Sequence, residues 1–200
     1  FTGPAGLFYE PKVPGYRTYN LAKAKQLVQQ LGGLSVDLFA GNDTISTTNL
    51  QALQTQWKAA GITTTIRADP DLTRIIQEFT AAGGKKWQAG LQLVGAFDPA
   101  VGAGLPFRFL STAIYSGVHD PVLDQMMDDA AASTDKGKRA EQYKAIAKYI
   151  SDNAYAPFLF GGVTGAVALK SVHGPGISTA IPLPGGFPAP VWDEAWISKG

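Results

Sequence analysis

Apolar positions along the chain recur in two rhythms, a strand-like period of two and a helical period near 3.6. Residues 1–19, with Pro4, Pro11, Pro14 and three glycines, carry neither and read as an extended linker. Asn20 offers an N-cap to a helix with Leu21, Ala24, Leu27, Val28 and Leu31 on one face, closed by Gly32-Gly33. Leu34, Val36, Leu38 and Ala40 then alternate as a strand, and Gly41–Thr44 is a turn. Leu50, Leu53, Trp57 and Ala60 form a helical stripe that ends at Gly61. Ile62, Thr64, Ile66 and Ala68 alternate again. Asp69-Pro70-Asp71 leads into a further helix with Leu72, Ile75, Ile76 and Phe79 inward, and Trp87, Ala89, Leu91 and Leu93 make a third strand. The order is βαβαβ, with connections suited to parallel strands and right-handed crossover helices. The predicted class is α/β, with a parallel three-stranded core and several covering helices.

Beyond the third strand the pattern weakens. Residues 95–118 are irregular and Gly-rich. Asp120-Pro121 starts a helix with Leu123, Met126, Met127 and Ala130 inward. Thr134 is the expected cap of the next helix, 136–153, whose inward side is Ala140, Tyr143, Ile146, Ala147 and Ile150. Strands are expected at Phe158-Leu159-Phe160 and across Val163, Val167, Leu169 and Val172. His173-Gly174 reads as a turn, and the remainder is Pro/Gly-rich apart from Val191–Ile197. There Trp192 and Trp196 stand one helical turn apart, as an anchor on some apolar surface.

Composition narrows the chemistry. The 200 residues fit one large domain, and 17 basic against 16 acidic residues give no strong field. No Lys/Arg cluster is interleaved with aromatics, so nucleic acid is not an expected partner. The absence of Cys removes disulfides and thiol catalysis. No apolar run reaches the roughly 20 residues of a membrane helix. Neither a nucleophile elbow nor a glycine-rich phosphate cradle occurs, and no cofactor is expected. His119 and His173 read as solvent-facing loop residues rather than bases, and Ser111 and Ser116 have no base that spacing nominates. Asp120, Asp124 and Asp128 share a helix face near His119; a solvated acidic face with one N-cap is the preferred reading over a metal site.

In an open α/β sheet, ligands bind beyond the carboxyl ends of the strands. The loops Gly41–Thr44, Ala68–Asp71 and Gly95–Pro99 share that edge, and the first leads into a helix N-terminus. Asn42, Asp43 and Thr44 also have a plainer reading as turn and cap residues. Trp57 and Trp87 lie on inward stripes and read as core, whereas Phe97 and Tyr115 are candidates for stacking on a ligand.

Three segments resemble the C-terminal part of family 5 extracellular solute-binding proteins of ABC importers. Tyr19-Asn20-Leu21-Ala22-Lys23-Ala24-Lys25-Gln26-Leu27-Val28 is similar to the family's Tyr-(Asp/Asn)-x-x-Lys-Ala-Lys-x-Leu-Leu, and Trp57–Ile62 to its helix end. Tyr115–Met127 resembles Tyr-x-(Asn/Asp)-Pro-x-x-Asp-x-Leu-(Leu/Met), followed by Thr134-Asp135, Arg139, Tyr143 and Ala156-Pro157-Phe158-Leu159. The resemblance runs from about Tyr16 to Trp196. It implies a two-lobed binding protein, not an enzyme, that captures a small-molecule solute and hands it to importer membrane subunits. Residues 20–160 would be the ligand-gripping lobe and residues 161–200 a return segment completing an N-terminal lobe absent here. That missing part would carry the export signal and membrane anchor of an extracellular or periplasmic protein. Without it, the return segment would pack on this lobe or against a second copy as a homodimer. A ligand-sensing domain of a transcriptional regulator or chemosensor is the alternative.

One departure bears on the cargo. Peptide binders of the family carry Trp-x-x-Asp-x-x-x-Pro after the third strand, with the Asp on the ligand's α-amino group. Anchored on Pro99, this chain has Gln92 and Gly95 at those two positions, while Asp98 remains. The expected ligand-binding set is therefore Asn42, Gln92, Gly95, Phe97, Asp98 and Tyr115, without an amine-binding carboxylate at Gly95. An oligosaccharide, or a peptide held differently, follows as the expected cargo.

Overall fold

The computed structural model describes residues 7–80, 87–91, 99–100, 105–113, 117–159, 169–174, 181–182, 188–189 and 195–198. The chain divides into two compact units, Arg17–Leu93 and Phe1–Tyr16 with Val94–Gly200.

The first unit is the parallel α/β core that the alternation predicts. Helix α1, Leu21–Gln30, starts where the Asn20 side chain accepts from Lys23 N at 2.9 Å. It ends in a Schellman arrangement, with Gly33 N donating to Val28 O and Gly32 N to Gln29 O, each at 3.0 Å. Gly32 and Gly33, at φ 72° and 111°, occupy backbone space that disfavours a side chain. The inward face of α1 is narrower than expected: Val28 is buried, but Leu27 and Leu31 are exposed. Leu27 sits about 100° around the helix from Val28, and Leu31 caps the end instead of continuing the stripe.

Strand β1, Leu34–Gly41, pairs in parallel with β2, Ile62–Asp69, from Leu34↔Ile62 to Gly41↔Asp69. Helix α2, Thr44–Ala59, connects them, and α3, Leu72–Thr80, follows β2. Strand β3, Ala89–Gly90, lies parallel to β1 opposite Leu38 and Phe39, so the order is β2-β1-β3 with β1 central. Hydrogen bonds from Gln88 N to Asp37 O and from Leu91 N to Phe39 O extend this short ladder. Leu93 lies outside the described residues.

A central strand is covered on two faces, and here strict alternation misleads. On one face Leu38, Ala40 and Leu50 form a cluster with Leu53, Trp57, Ile66, Ala89 and Leu91 packed against it. On the other, Phe39 is only 2% exposed and meets Phe79 and Trp87 in a three-ring cluster, with centroids 4.9–5.9 Å apart. Trp87 thus packs away from Ala89 and Leu91, with which it was grouped. Gly90 makes this arrangement fit, because a Cβ there would meet Phe79 Cε1 at 2.6 Å and Trp87 Cζ3 at 2.9 Å. Ile76, expected inward, is 44% exposed; Phe79 holds the buried face of α3.

The second unit is built on a helical hairpin, α5 (Pro121–Ala132) and α6 (Lys136–Asp152), preceded by a short α4 (Leu105–Phe109). Helix α4 falls in a stretch expected to be irregular; its five residues are too few to display a period. Leu105, Phe109, Leu123, Met127, Ala130, Tyr143, Ile146 and Ile150 form one buried cluster. Asp135, not Thr134, caps α6, its carboxylate accepting from Lys138 N at 2.7 Å.

Residues 7–16 run along this hairpin. Phe8 packs on Tyr143 with ring centroids 5.2 Å apart, the Arg139 guanidinium lies over both rings, and Glu10 is 3.6 Å from Lys144 Nζ. Tyr16 Oη donates to Phe158 O. Phe158 and Leu159 form no strand ladder, contrary to expectation, and Phe160 lies outside the described residues.

The described tail holds two small antiparallel ribbons. Strand β4, Val172–His173, pairs with β7, Trp196–Ile197; β5, Ile181–Pro182, pairs with β6, Pro188–Ala189. Leu169 is not in the predicted strand and is 76% exposed, and Val163 and Val167 lie outside the described residues. His173 is a strand residue rather than a turn residue: its ring stacks on Trp196 at 4.4 Å, with Nε2 3.2 Å from Ser198 Oγ. Trp196 is strand-borne and 58% exposed, so it is not the buried anchor expected, and Trp192 lies outside the described residues.

Candidate functional site

The carboxyl edge of the sheet is where the topology concentrates chemistry. β1 and β2 end in register at Gly41 and Asp69, and Asn42 N donates to Asp69 O at 3.0 Å, carrying the pairing one step past the strands. The chain then turns into α2 through Asp43, whose carboxylate accepts from Ser46 N at 3.0 Å. Hydrogen bonds from Ser46, side chain first and then backbone, hold the Asp43 carboxyl below the ordinary carboxylate range. A Cβ on Gly41 would come within 3.3 Å of both Asp43 Oδ2 and Ile75 Cδ1, so the turn packs closely against α3.

The neighbouring β2–α3 turn repeats the device. Asp71 Oδ1 accepts from Thr73 N at 2.8 Å as the start of α3, and Asp69 Oδ1 accepts from Asp71 N at 2.9 Å. Arg74 Nε stands 3.6 Å from Asp69 Oδ2. Two helix starts and three carboxylates therefore share one sheet edge, with Asn42, Asp43 and Thr44 exposed beside them. The plain reading of Asp43 as a cap is correct. Exposed Asn42 adds an amide able to donate and to accept. The arrangement suits a polar ligand rich in hydrogen-bonding groups.

Of the expected ligand-binding residues, Asn42 is at this edge. Gln92, Gly95, Phe97, Asp98 and Tyr115 lie outside the described residues. Among the described residues no three His, Asp or Glu converge to hold a metal ion, and no helix is long and apolar enough to cross a membrane.

A second polar constellation lies in the helical unit, and the sequence reading underestimated it. Asp120 Oδ1 accepts from Val122 N at 2.9 Å and Leu123 N at 3.3 Å, as the N-cap expected. Its other oxygen accepts from Tyr155 Oη at 2.7 Å and Tyr149 Oη at 2.9 Å. Asp120 N donates to Ser111 Oγ at 3.1 Å, and Asp124 Oδ1 accepts from Ser111 N at 2.9 Å. The Tyr155 hydroxyl is the main cause holding the Asp120 carboxyl low, with Tyr149 and the α5 amides adding to it. Reciprocally, the Tyr155 phenol is pushed up to about 12 by its bond to Asp120. Asp120 and Asp124 are therefore bonded and half-buried, not part of a solvated face; Asp128 and His119 are exposed as expected. Tyr149 and Tyr155 were not singled out from the sequence. Their signal was faint: two hydroxyl donors straddling the end of α6, far along the chain from a capping carboxylate.

No protein-family model and no curated protein matches the chain. Solved structures do. A substrate-binding protein of an ABC transporter, CtaP from Listeria monocytogenes, is 26% identical with a TM-score of 0.61, over 76% of this chain and 32% of that one. The oligopeptide-binding protein AppA from Bacillus subtilis, solved with a nonapeptide, is 13% identical with a TM-score of 0.69, over 98% of this chain and 41% of that one. AgaA from A. tumefaciens R10, solved with agropinic acid, is 16% identical with a TM-score of 0.55, over 75% and 33%. The chain spans 32–41% of the length of these proteins. Its resemblance in sequence and its folded structure agree: the solved structures that share this fold are substrate-binding proteins of ABC transporters, of whose length the chain spans only a part.

Proposed function

We propose that the chain is the cargo-gripping part of a solute-binding component of an ABC importer and catalyses no reaction. The carrying observation is the paired carboxyl edge of β1 and β2, with two helix starts and exposed Asn42, in a fold shared with such binding proteins. Residues 20–160 are proposed as the gripping lobe and residues 161–200 as a return segment that completes a further lobe or packs on a second copy. Asn42, Gln92, Gly95, Phe97, Asp98 and Tyr115 are proposed to face the cargo. The protein would act outside the cytoplasmic membrane, held to it through an N-terminal part, and would deliver its cargo to the importer's membrane subunits.

The cargo is proposed to be an oligosaccharide, or a peptide not held by its α-amino group. Gly95 stands where a peptide amine would need a carboxylate, and Gln92 supplies a neutral amide instead. A nonapeptide and agropinic acid in two related folds support the view that this fold does not fix the cargo. Calorimetry on the full-length protein with free peptides, N-acetylated peptides and oligosaccharides tests the reading. Affinity for an oligosaccharide, or for a peptide regardless of acetylation, is expected. Tight binding of free-amine peptides alone would contradict the proposed cargo class.

A further inference from the structure

The amino end of the sheet, away from Asn42, holds a groove of its own. Helices α1 and α2 both end there, where β1 and β2 begin, and the space at their last turns measures about 520 Å3. Its lining belongs entirely to the unit Arg17–Leu93. Buried Val28 and Ala60 line it together with Gly32, Gly33 and Gly61. The glycines have φ of 72°, 111° and 89°, the left-handed conformation in which helices commonly terminate. A Cβ at Gly32 or Gly33 would meet nothing within 4 Å. The way the two helices stop thus leaves a wall without side chains, and the groove stays open.

The two charged residues of the lining are both cations. Lys58 is in the last turn of α2, where a positive charge complements the helix dipole. Lys25 lies in the middle of α1, outside its last turn, so the dipole gives it no comparable reason to be there. Both are exposed, and among the described residues neither joins an ion pair. The surrounding chain offers them no carboxylate: residues 11–36 and 44–68 contain neither Asp nor Glu, whereas Asp43, Asp69 and Asp71 stand at the carboxyl edge. Exposed Leu31 and Leu34 flank Gly32-Gly33 in the chain and add apolar surface at the same end. An acidic residue alone gains little from an exposed lysine. A segment that carries acidic and apolar side chains together gains from the cations and from the groove.

We propose that the groove at the ends of α1 and α2 docks an acidic, partly apolar peptide segment of a partner protein. Lys25 and Lys58 take its carboxylates, and Val28 and Ala60 meet its apolar side chains. Two cations beside a recess suit such a segment better than a membrane surface, which is met by a larger basic cluster. β1 and β2 are eight residues long, which separates the groove from the carboxyl edge by roughly 25 Å. Docking and cargo binding therefore use different residues, and the groove does not depend on the class of cargo.

Calorimetry on the full-length protein tests this with an N-acetylated, C-amidated amphipathic peptide of Glu and Leu, against the same pattern in Lys and Leu. Saturable binding of the Glu/Leu peptide alone is expected, weakening with added salt. Lys25→Glu/Lys58→Glu should lower that affinity at least about tenfold, because two attractions become repulsions. Hydrogen exchange on peptide addition should slow at residues 25–34 and 58–62 and not at 41–47. Should charge reversal at the end of α2 disturb folding, Lys25→Gln/Lys58→Gln carries the same test with a smaller loss. No binding of the Glu/Leu peptide, equal binding of the Lys/Leu peptide, unaltered affinity in the double variant, or protection at 41–47 alone overturns the proposal. So does self-association that charge reversal abolishes, which gives the groove to a second copy. Binding of phosphatidylserine vesicles in place of the peptide overturns it as well, in favour of a lipid surface.

Discussion

Helices α2 and α5 begin alike and are used differently. Each starts from an aspartate whose carboxylate accepts backbone N–H groups of the first turn, Asp43 for Ser46 and Asp120 for Val122 and Leu123. At α2 the residues around the cap, Asn42 to Ile45, are exposed at the end of a parallel sheet. At α5 the cap is enclosed by Ser111, Tyr149 and Tyr155, and the first turn buries Leu123 completely. A helix start can thus be left open, with hydrogen-bonding groups available to a solute, or closed on the protein's own side chains as scaffold. Local sequence specifies the cap in either case; distant residues decide which kind it becomes.

The largest expected contrast lies in the first turns. Leu123→Ala is expected to destabilise by about 2–5 kcal/mol, as for buried leucines generally. Ile45→Ala, at a 63% exposed position in α2, should stay within about 0.5 kcal/mol. Urea unfolding measures both, and comparable losses would end the contrast. Next come the caps. Asn caps a helix about as well as Asp, so Asp43→Asn should shift the thermal transition only slightly, while Asp120→Asn lowers it further because two phenolic donors lose a charged acceptor. Equal shifts would mean that Tyr149 and Tyr155 contribute nothing to Asp120.

The pH dependence separates the two starts more finely. Asp43 and Asp120 have folded-state values below the ordinary carboxylate value of 3.8, so each contributes stability that is present above that value and lost as pH falls through the lowered one. An acid limb is thus shared. Tyr155 is displaced the other way, from 10.0 to about 12. Its contribution is fully present below pH 10 and is lost as pH rises towards 12, and it belongs to α5 alone. Tyr155→Phe should lessen the slope of the stability profile between those two values, leaving the part due to Tyr149, whose phenol is likewise raised by its bond to Asp120, and leave the acid limb at Asp43 untouched. Circular dichroism across the alkaline range reads this directly.

The legible parts of the fold are those where local pattern and packing agree. Asn20, Gly32 and Gly33 mark the limits of α1 because caps and left-handed residues are local chemistry. The βαβαβ order is legible because each crossover carries its own stripe. Trp87 is core as expected but packs on the other face of the sheet, with Phe39, because a central strand has two buried faces and Gly90 opens a ring-sized space that no period of two reveals. The ribbons β4–β7 and β5–β6 were not legible, since two-residue strands have no period to detect. Asp120 was found as a cap, but its tyrosines lie 29 and 35 residues away, and only the folded hairpin brings them to it. The candidate site was legible in part for the same reason. Asn42 follows from the end of β1, and Phe97 and Tyr115 from their place beyond the third strand, whereas Gln92, Gly95 and Asp98 rest on resemblance; all of these but Asn42 lie outside the described residues.

The smallest change in stability should accompany the largest change in binding. Asn42→Ala removes an exposed amide at the open helix start and is expected to leave unfolding within about 0.5 kcal/mol of the parent. Calorimetric titration of the full-length protein and its Asn42→Ala variant with an oligosaccharide series and N-acetylated peptides tests whether the open edge holds cargo. Saturable binding of one such solute by the parent is expected, with affinity about tenfold lower in the variant, the scale of one lost polar contact. Absence of binding by the parent, or equal affinity in the two proteins, would contradict the assignment of the open edge at Asn42 as the place where cargo is held.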